Sequence, residues 1–156
     1  MKPRITAAAG LAVALVAVSS SVLLMGGNSN AAVSHTCSAT DRQFLGTAQL
    51  NMAALGTLSQ DYLQGAAEAD EVIMQTDSAL TSLANTNPSD PSLSKTRAIL
   101  RAMFLNYGRA IRADKQHKDP GKYIYRAYGL ANFAHDVLSN AKPALAKRGC
   151  DVSPLL

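Results

Sequence analysis

The chain has 156 residues, with 15 Lys and Arg against 11 Asp and Glu, a formal net charge of +4 at pH 7. It carries two cysteines, three histidines and only two glutamates, Glu68 and Glu71. That inventory excludes a ferritin-like di-iron bundle, which needs about four Glu and two His, and leaves no ligand set for a structural zinc. Nor does the sequence hold a nucleophile elbow, a phosphate-cradling glycine loop or a haem-attachment motif.

The N-terminus opens MKPR and continues as an uncharged Ala/Val/Leu run from Ile5 to Met25. A positive start, an apolar run and a small-residue exit form the pattern of a secretory signal peptide over residues 1–32, cleaved after Ala31 or Ala32. The alternative is a retained apolar segment that anchors the chain in a membrane. Residues 33–39 then form a short N-terminal segment, 40–150 a helical domain and 151–156 a tail.

Export makes the cysteine pair readable. Cys37 precedes the first helical pattern and Cys150 follows the last, so a disulfide between them ties the ends of the domain together. Closing a loop of about a hundred residues contributes on the order of 4–5 kcal/mol in the loop-entropy picture.

Leu45, Ala48, Met52, Leu55, Ser59, Tyr62, Ala66, Ala69, Ile73, Thr76, Leu80 and Leu83, mostly apolar, follow one another at three- and four-residue steps, starting at a Thr40–Gln43 capping box. A Pro/Ser/Asn linker at Asn85–Ser92 ends the region. Asp90-Pro91 and Asp119-Pro120 each read as an Asp N-cap followed by Pro at the first helical position. The second helix places Leu93, Leu100, Met103, Phe104, Tyr107 and Ile111 inward. The third places Ala127, Ala131, Ala134, Leu138 and Leu145 inward and closes at Lys147, Arg148 and Gly149. Pro143 should kink its last turns.

The disulfide selects the topology. With three alternating helices the cysteines would lie at opposite ends; an even number of passes brings them together. Breaking the first region between Gly56 and Gly65 gives two helices of about 20 residues and an all-α, antiparallel four-helix bundle. A long helical hairpin, with the last two helices end to end, is the alternative.

Charge is segregated along the chain. Six acids against Arg42 make Ser38–Asn85 net −5, whereas twelve bases against five acids make the remainder net +7. Arg97, Arg101, Arg109, Arg112, Lys115, Lys122 and Arg126 form a candidate surface for an anionic partner, with Tyr123, Tyr125 and Tyr128 interleaved. The competing reading is internal: an acidic and a basic region complement each other within one bundle. Nucleic acid is not an expected partner of an exported protein.

If cleavage follows Ala32, the mature chain begins Val33-Ser34-His35, an amino-terminal square-planar site for Cu(II) or Ni(II); cleavage after Ala31 abolishes it. His135 is expected partly buried at the edge of an apolar face, and His117 solvated in a turn. Asp61-Tyr62-Leu63, within a helical domain framed by two cysteines, resembles small secreted haem-binding proteins of actinobacteria. In those, a His four residues after the Tyr accompanies the pair; here that position is Ala66, and the departure falls on the ligand.

These features describe a non-enzymatic, exported bacterial protein, secreted or at the cell surface, with no resident cofactor. It would act as an interaction module for a cell-envelope protein or an anionic polymer. A small-ligand carrier for haem, lipid or metal is the alternative, and predicts a cavity among Ala127, Ala131 and Ala134. A membrane enters only if the N-terminal segment is retained.

Overall fold

The computed structural model describes residues 36–156. The signal-peptide reading and the His35 metal site fall outside the described residues. Four helices follow one another: α1 (Ala39–Gln64), α2 (Ala69–Ala84), α3 (Pro91–Lys115) and α4 (Gly121–Lys147), with a short 3₁₀ turn at Ser153–Leu155.

α1 starts earlier than the Thr40–Gln43 box implies. Ser38 is the N-cap, its Oγ accepting from Asp41 N at 3.0 Å. Thr40 therefore lies inside the helix. The earlier start has a tertiary cause, since Ser38 Oγ also pairs with Ser89 Oγ at 3.0 Å.

The long apolar region does break, at Gly65, where φ is +76°. There Ala66 N donates to Asp61 O and Gly65 N to Tyr62 O, a Schellman closure that only a residue tolerant of the left-handed region makes without strain. The two products are 26 and 16 residues long rather than two of about 20. Both glutamates of the chain then flank the entry to α2, where Glu68 N donates to Glu71 Oε2 at 2.9 Å.

Asp90 caps α3 as its sequence implies, Oδ1 accepting from Ser92 N at 2.8 Å and Leu93 N at 3.1 Å. At α4 the signal shifts by one residue. Asp119 Oδ1 accepts from Gly121 N, and Pro120 stands just outside the helix instead of at its first position. α4 continues through Pro143 to Lys147. Gly149, at φ +72°, completes a second Schellman closure, with Cys150 N donating to Leu145 O at 3.0 Å.

Neighbouring helices run antiparallel, so this is a four-helix bundle. Lys115, at the end of α3, meets Asp70, at the start of α2; Arg148, beyond α4, meets Asp90, before α3. α3 and α4 lie side by side and make the most extensive helix contact, which excludes the hairpin with those helices end to end. α3 is central: it packs on α1, α2 and α4, whereas no Cα of α1 comes within 8 Å of one in α4. Between α2 and α3 the approach is tight, since a Cβ on Gly108 would lie 2.7 Å from Thr76 Oγ1.

The core is one cluster, with Phe44, Val72, Leu83, Leu93, Phe104, Leu138 and Leu145 fully buried. Burying a Leu or Phe contributes about 1.5–3 kcal/mol relative to leaving it exposed. The Cys37–Cys150 disulfide is formed, with Cα atoms 4.9 Å apart, and closes the end where α1 begins and α4 finishes. Among the described residues no helix is long and apolar enough to cross a membrane.

Candidate functional site

The seven basic residues singled out by sequence do not form one surface, because α3 sits centrally and its flanks face different neighbours. Arg112 Nη2 holds Asp77 of α2 at 2.6 and 2.8 Å. Lys115 Nζ holds Asp70 at 2.6 and 2.7 Å. Arg97 turns its guanidinium onto the carbonyl oxygen of Thr86 in the α2–α3 connection. Arg112 and Lys115 belong to the internal complementarity between the acidic and basic halves, whereas Arg97 is engaged by a neutral carbonyl of its own half. Both ion pairs are exposed, and pairs of that kind contribute about 0–1 kcal/mol.

Arg101, Arg109, Lys122 and Arg126 are exposed and have no acidic partner among the described residues. Arg101 and Arg109 flank exposed Leu105 on the outer strip of α3, at spacings of four residues that place all three along one side of the helix. Lys122 and Arg126 lie on α4 beside exposed Tyr125 and Tyr128. A cation–π contact, Lys95 Nζ 4.9 Å from the centre of the Phe133 ring, closes the seam between the two helices. The candidate surface is therefore four cations and a few exposed apolar side chains on the outer wall formed by α3 and α4.

A second polar cluster, which sequence reasoning missed, lies at the disulfide end. Asp41 is 4% exposed, and its carboxylate accepts from Ser89 N (2.7 Å), Asp90 N (3.0 Å) and Ser89 Oγ (2.9 Å). Burial alone would raise its pKa. The Asp90 N–H, with help from Ser38 and Ser89, outweighs burial and holds the carboxyl below its ordinary value. Asp90, 5% exposed, spends its second oxygen on Arg148, and Arg42 reaches the Cys37 carbonyl. The only forward signal was the Asp before Pro91; nothing local in the sequence couples Asp41 to a loop 48 residues away.

Cys37 Sγ, Cys150 Sγ and an Asp41 oxygen lie within 4.8 Å of one another. The sulfurs are bonded to each other and Asp41 is fully engaged, so this cluster is a structural clasp and offers no thiolate to a metal.

The remaining candidates are occupied or displaced. Tyr62 donates its hydroxyl to Asp114 on α3. Burial first, and then the Asp114 carboxylate, push the phenol well above its ordinary value, which disfavours a phenolate ligand to haem. His135 is exposed beside Asp136, with Nδ1 3.7 Å from the carboxylate, and not at a buried edge. The reason is rotational: α4 buries Ala127, Ala134, Leu138 and Leu145, and His135 lies about 100° around the helix from Ala134. His117 is in a solvated turn, as expected, at φ +56°. Ala127 and Ala134 are buried in the core cluster with Ala131 packed partly against it, so these small side chains serve close helix contact. A shallow open depression by Lys142, Gly149 and Ser153 lies beside the disulfide.

No family model, curated protein or solved structure matches the chain.

Proposed function

We propose that this is an exported helical module, acting without catalysis, whose outer α3–α4 wall binds an acidic partner at the cell surface: an anionic polymer or an acidic envelope protein. Export is supported by the leader pattern of residues 1–32 and by a disulfide that spans the domain. One observation carries the binding assignment. With Arg112 and Lys115 engaged by Asp77 and Asp70, and Arg97 by the Thr86 carbonyl, four exposed cations remain on the outer wall without acidic partners among the described residues. Clustered like charge of this kind raises association rates and affinity for polyanions.

Binding to sodium polyglutamate, followed by fluorescence anisotropy across a salt series, tests the assignment. Arg101→Glu with Arg109→Glu should lower affinity about tenfold or more at low salt, and the difference should shrink as salt screens it. Arg112→Glu, which breaks an internal pair, is the comparison and should matter less for binding. Equal affinity of the double variant and the parent, or binding indifferent to salt, would remove the assignment. The carrier reading receives no support from the Ala127–Ala134 stripe, where helix contact takes the place of a ligand cavity.

A further inference from the structure

α4 has the largest share of exposed residues of the four helices. Among the helices it meets only α3, and it leaves Tyr125 (80%), Tyr128 (54%) and Phe133 (46%) exposed, the last at the edge of the α3 seam, where its ring also meets Lys95. Between these aromatics lie Gly129 and Asn132, both exposed. Gly129 is the telling residue. Glycine inside a helix is less favourable than alanine, yet nothing lies within 4 Å of where its Cβ would be, and its φ does not require glycine. The fold of one copy gives no reason for it.

We propose that the outer face of α4 is the contact face of a symmetric homodimer, two copies of α4 packing antiparallel about a two-fold axis level with the Leu130–Ala131 peptide. The register follows from helical geometry, in which residues three and four apart share a face. On one flank each Phe133 ring then sits over the partner copy's glycine at position 129, where a missing Cβ leaves the hole for it. On the other flank each Tyr128 lies across the facing asparagine at position 132, whose amide gives the phenol hydroxyl a hydrogen-bond partner. Asp136, the only acid on α4, comes level with Tyr125 and Arg126 of the facing copy, so its carboxylate meets a hydroxyl and a guanidinium.

The pairing is self-complementary, as a two-fold interface must be: α4 carries its arginine before the axis and its acid after it. Antiparallel packing also opposes the two helix dipoles. A 27-residue helix is about 40 Å long, and contact along most of it approaches the roughly 800 Å² per partner of a standard interface. α1 supplies the internal comparison. Gly46 is equally open, but its face carries Leu50 as its one large exposed side chain before Leu63, with no aromatic flank and no facing charge pair.

The dimer does not rest on the anionic-partner reading. It takes Arg126, Tyr125 and Tyr128 from that surface and leaves Arg101 and Arg109 outside, displayed in duplicate.

Sedimentation equilibrium on the disulfide-closed protein recovered from its host tests the proposal, without polyanion present. A dimer is expected at roughly micromolar concentration. Gly129→Gln and Asp136→Arg should each weaken it about tenfold or more, whereas Gly46→Gln should not. The charge-swapped pair Arg126→Asp with Asp136→Arg should restore most of the affinity lost by Asp136→Arg alone. All four positions point outward in one copy, so helical circular dichroism should stay at the parental level and certify folding. A protein that remains monomeric at roughly 100 µM, or a dimer that Gly129→Gln leaves intact, overturns the proposal. So does a charge swap that fails to recover. A parent protein that dimerises but does not bind polyglutamate would instead strike only the functional assignment.

Discussion

At the end where α1 begins and α4 finishes, the chain is held by a covalent bond and by two carboxylates removed from solvent. Asp41 and Asp90 between them accept from four backbone N–H groups, one hydroxyl and one guanidinium, and each satisfies part of the α2–α3 connection or the start of α3. At the opposite end, the α1–α2 and α3–α4 connections are held by left-handed turns at Gly65 and His117, the Tyr62–Asp114 bond and the exposed Lys115–Asp70 pair. The contrast has a physical origin. Buried carboxylates are tolerated only when their lone pairs are filled, and once filled they fix geometry; exposed pairs exchange with water and fix little. The first end is therefore expected to be the more rigid one, and the second to open first.

The largest expected effect tests the covalent part of that contrast. Cys37→Ser with Cys150→Ser, or reduction, frees a crosslink with a sequence separation of 113 and should lower unfolding free energy by about 4–5 kcal/mol. Urea titration followed by circular dichroism measures it. A loss under about 1 kcal/mol would assign the rigidity of that end to hydrogen bonds alone.

Next comes the carboxylate. Asp41→Asn keeps the shape but removes one acceptor and the charge, and should cost about 1–3 kcal/mol near neutral pH. The pH dependence carries the sign. A carboxyl whose native pKa lies below its unfolded value stabilises fully above the unfolded value, near pH 4, and that stability is lost as pH falls through the lower native pKa. The parent should thus lose stability on acidification in a window that Asp41→Asn flattens. Identical acid limbs for the two proteins would show that the clasp does not depend on the ionised form of Asp41.

Much of this architecture is legible in one dimension because it is encoded locally. Asp90 before Pro91 caps α3, Gly149 closes α4, and the apolar steps identify Leu45, Leu55, Leu83 and Leu138 as core. The cysteine positions carry the topology, since only an even number of passes brings 37 and 150 together. What escaped depends on neighbours. Thr40 and Ser38 are equally good caps in sequence, and Ser38 wins through its contact with Ser89. The break fell at the late edge of the Gly56–Gly65 window, because Gly65 reaches a left-handed φ that leaves Glu68 and Glu71 to start α2. The basic residues of α3 could not be sorted by spacing alone. Whether Arg101 faces solvent or Arg112 faces Asp77 depends on where α2 and α4 dock around α3. A linear charge count carries no such angle.

The smallest effect probes the opposite end. His117 N donates to Asp114 O and Lys118 N to Ala113 O, a Schellman closure in which the left-handed position is held by histidine instead of glycine. A side chain at that φ carries a steric penalty of about 1–2 kcal/mol, part of which glycine would give back through the greater freedom of its unfolded chain. His117→Gly should therefore stabilise the protein by about 0.5–1 kcal/mol, a rise in thermal midpoint of a few degrees for a domain of this size. Calorimetry of the disulfide-closed protein measures it. Because the gain is confined to the weaker end, native-state hydrogen exchange should show it at Gln116–Tyr123 and leave the amides of Ser89 and Asp90 unchanged. Equal slowing at both ends would mean that the bundle opens as one unit, and that the two ends differ in chemistry but not in local stability.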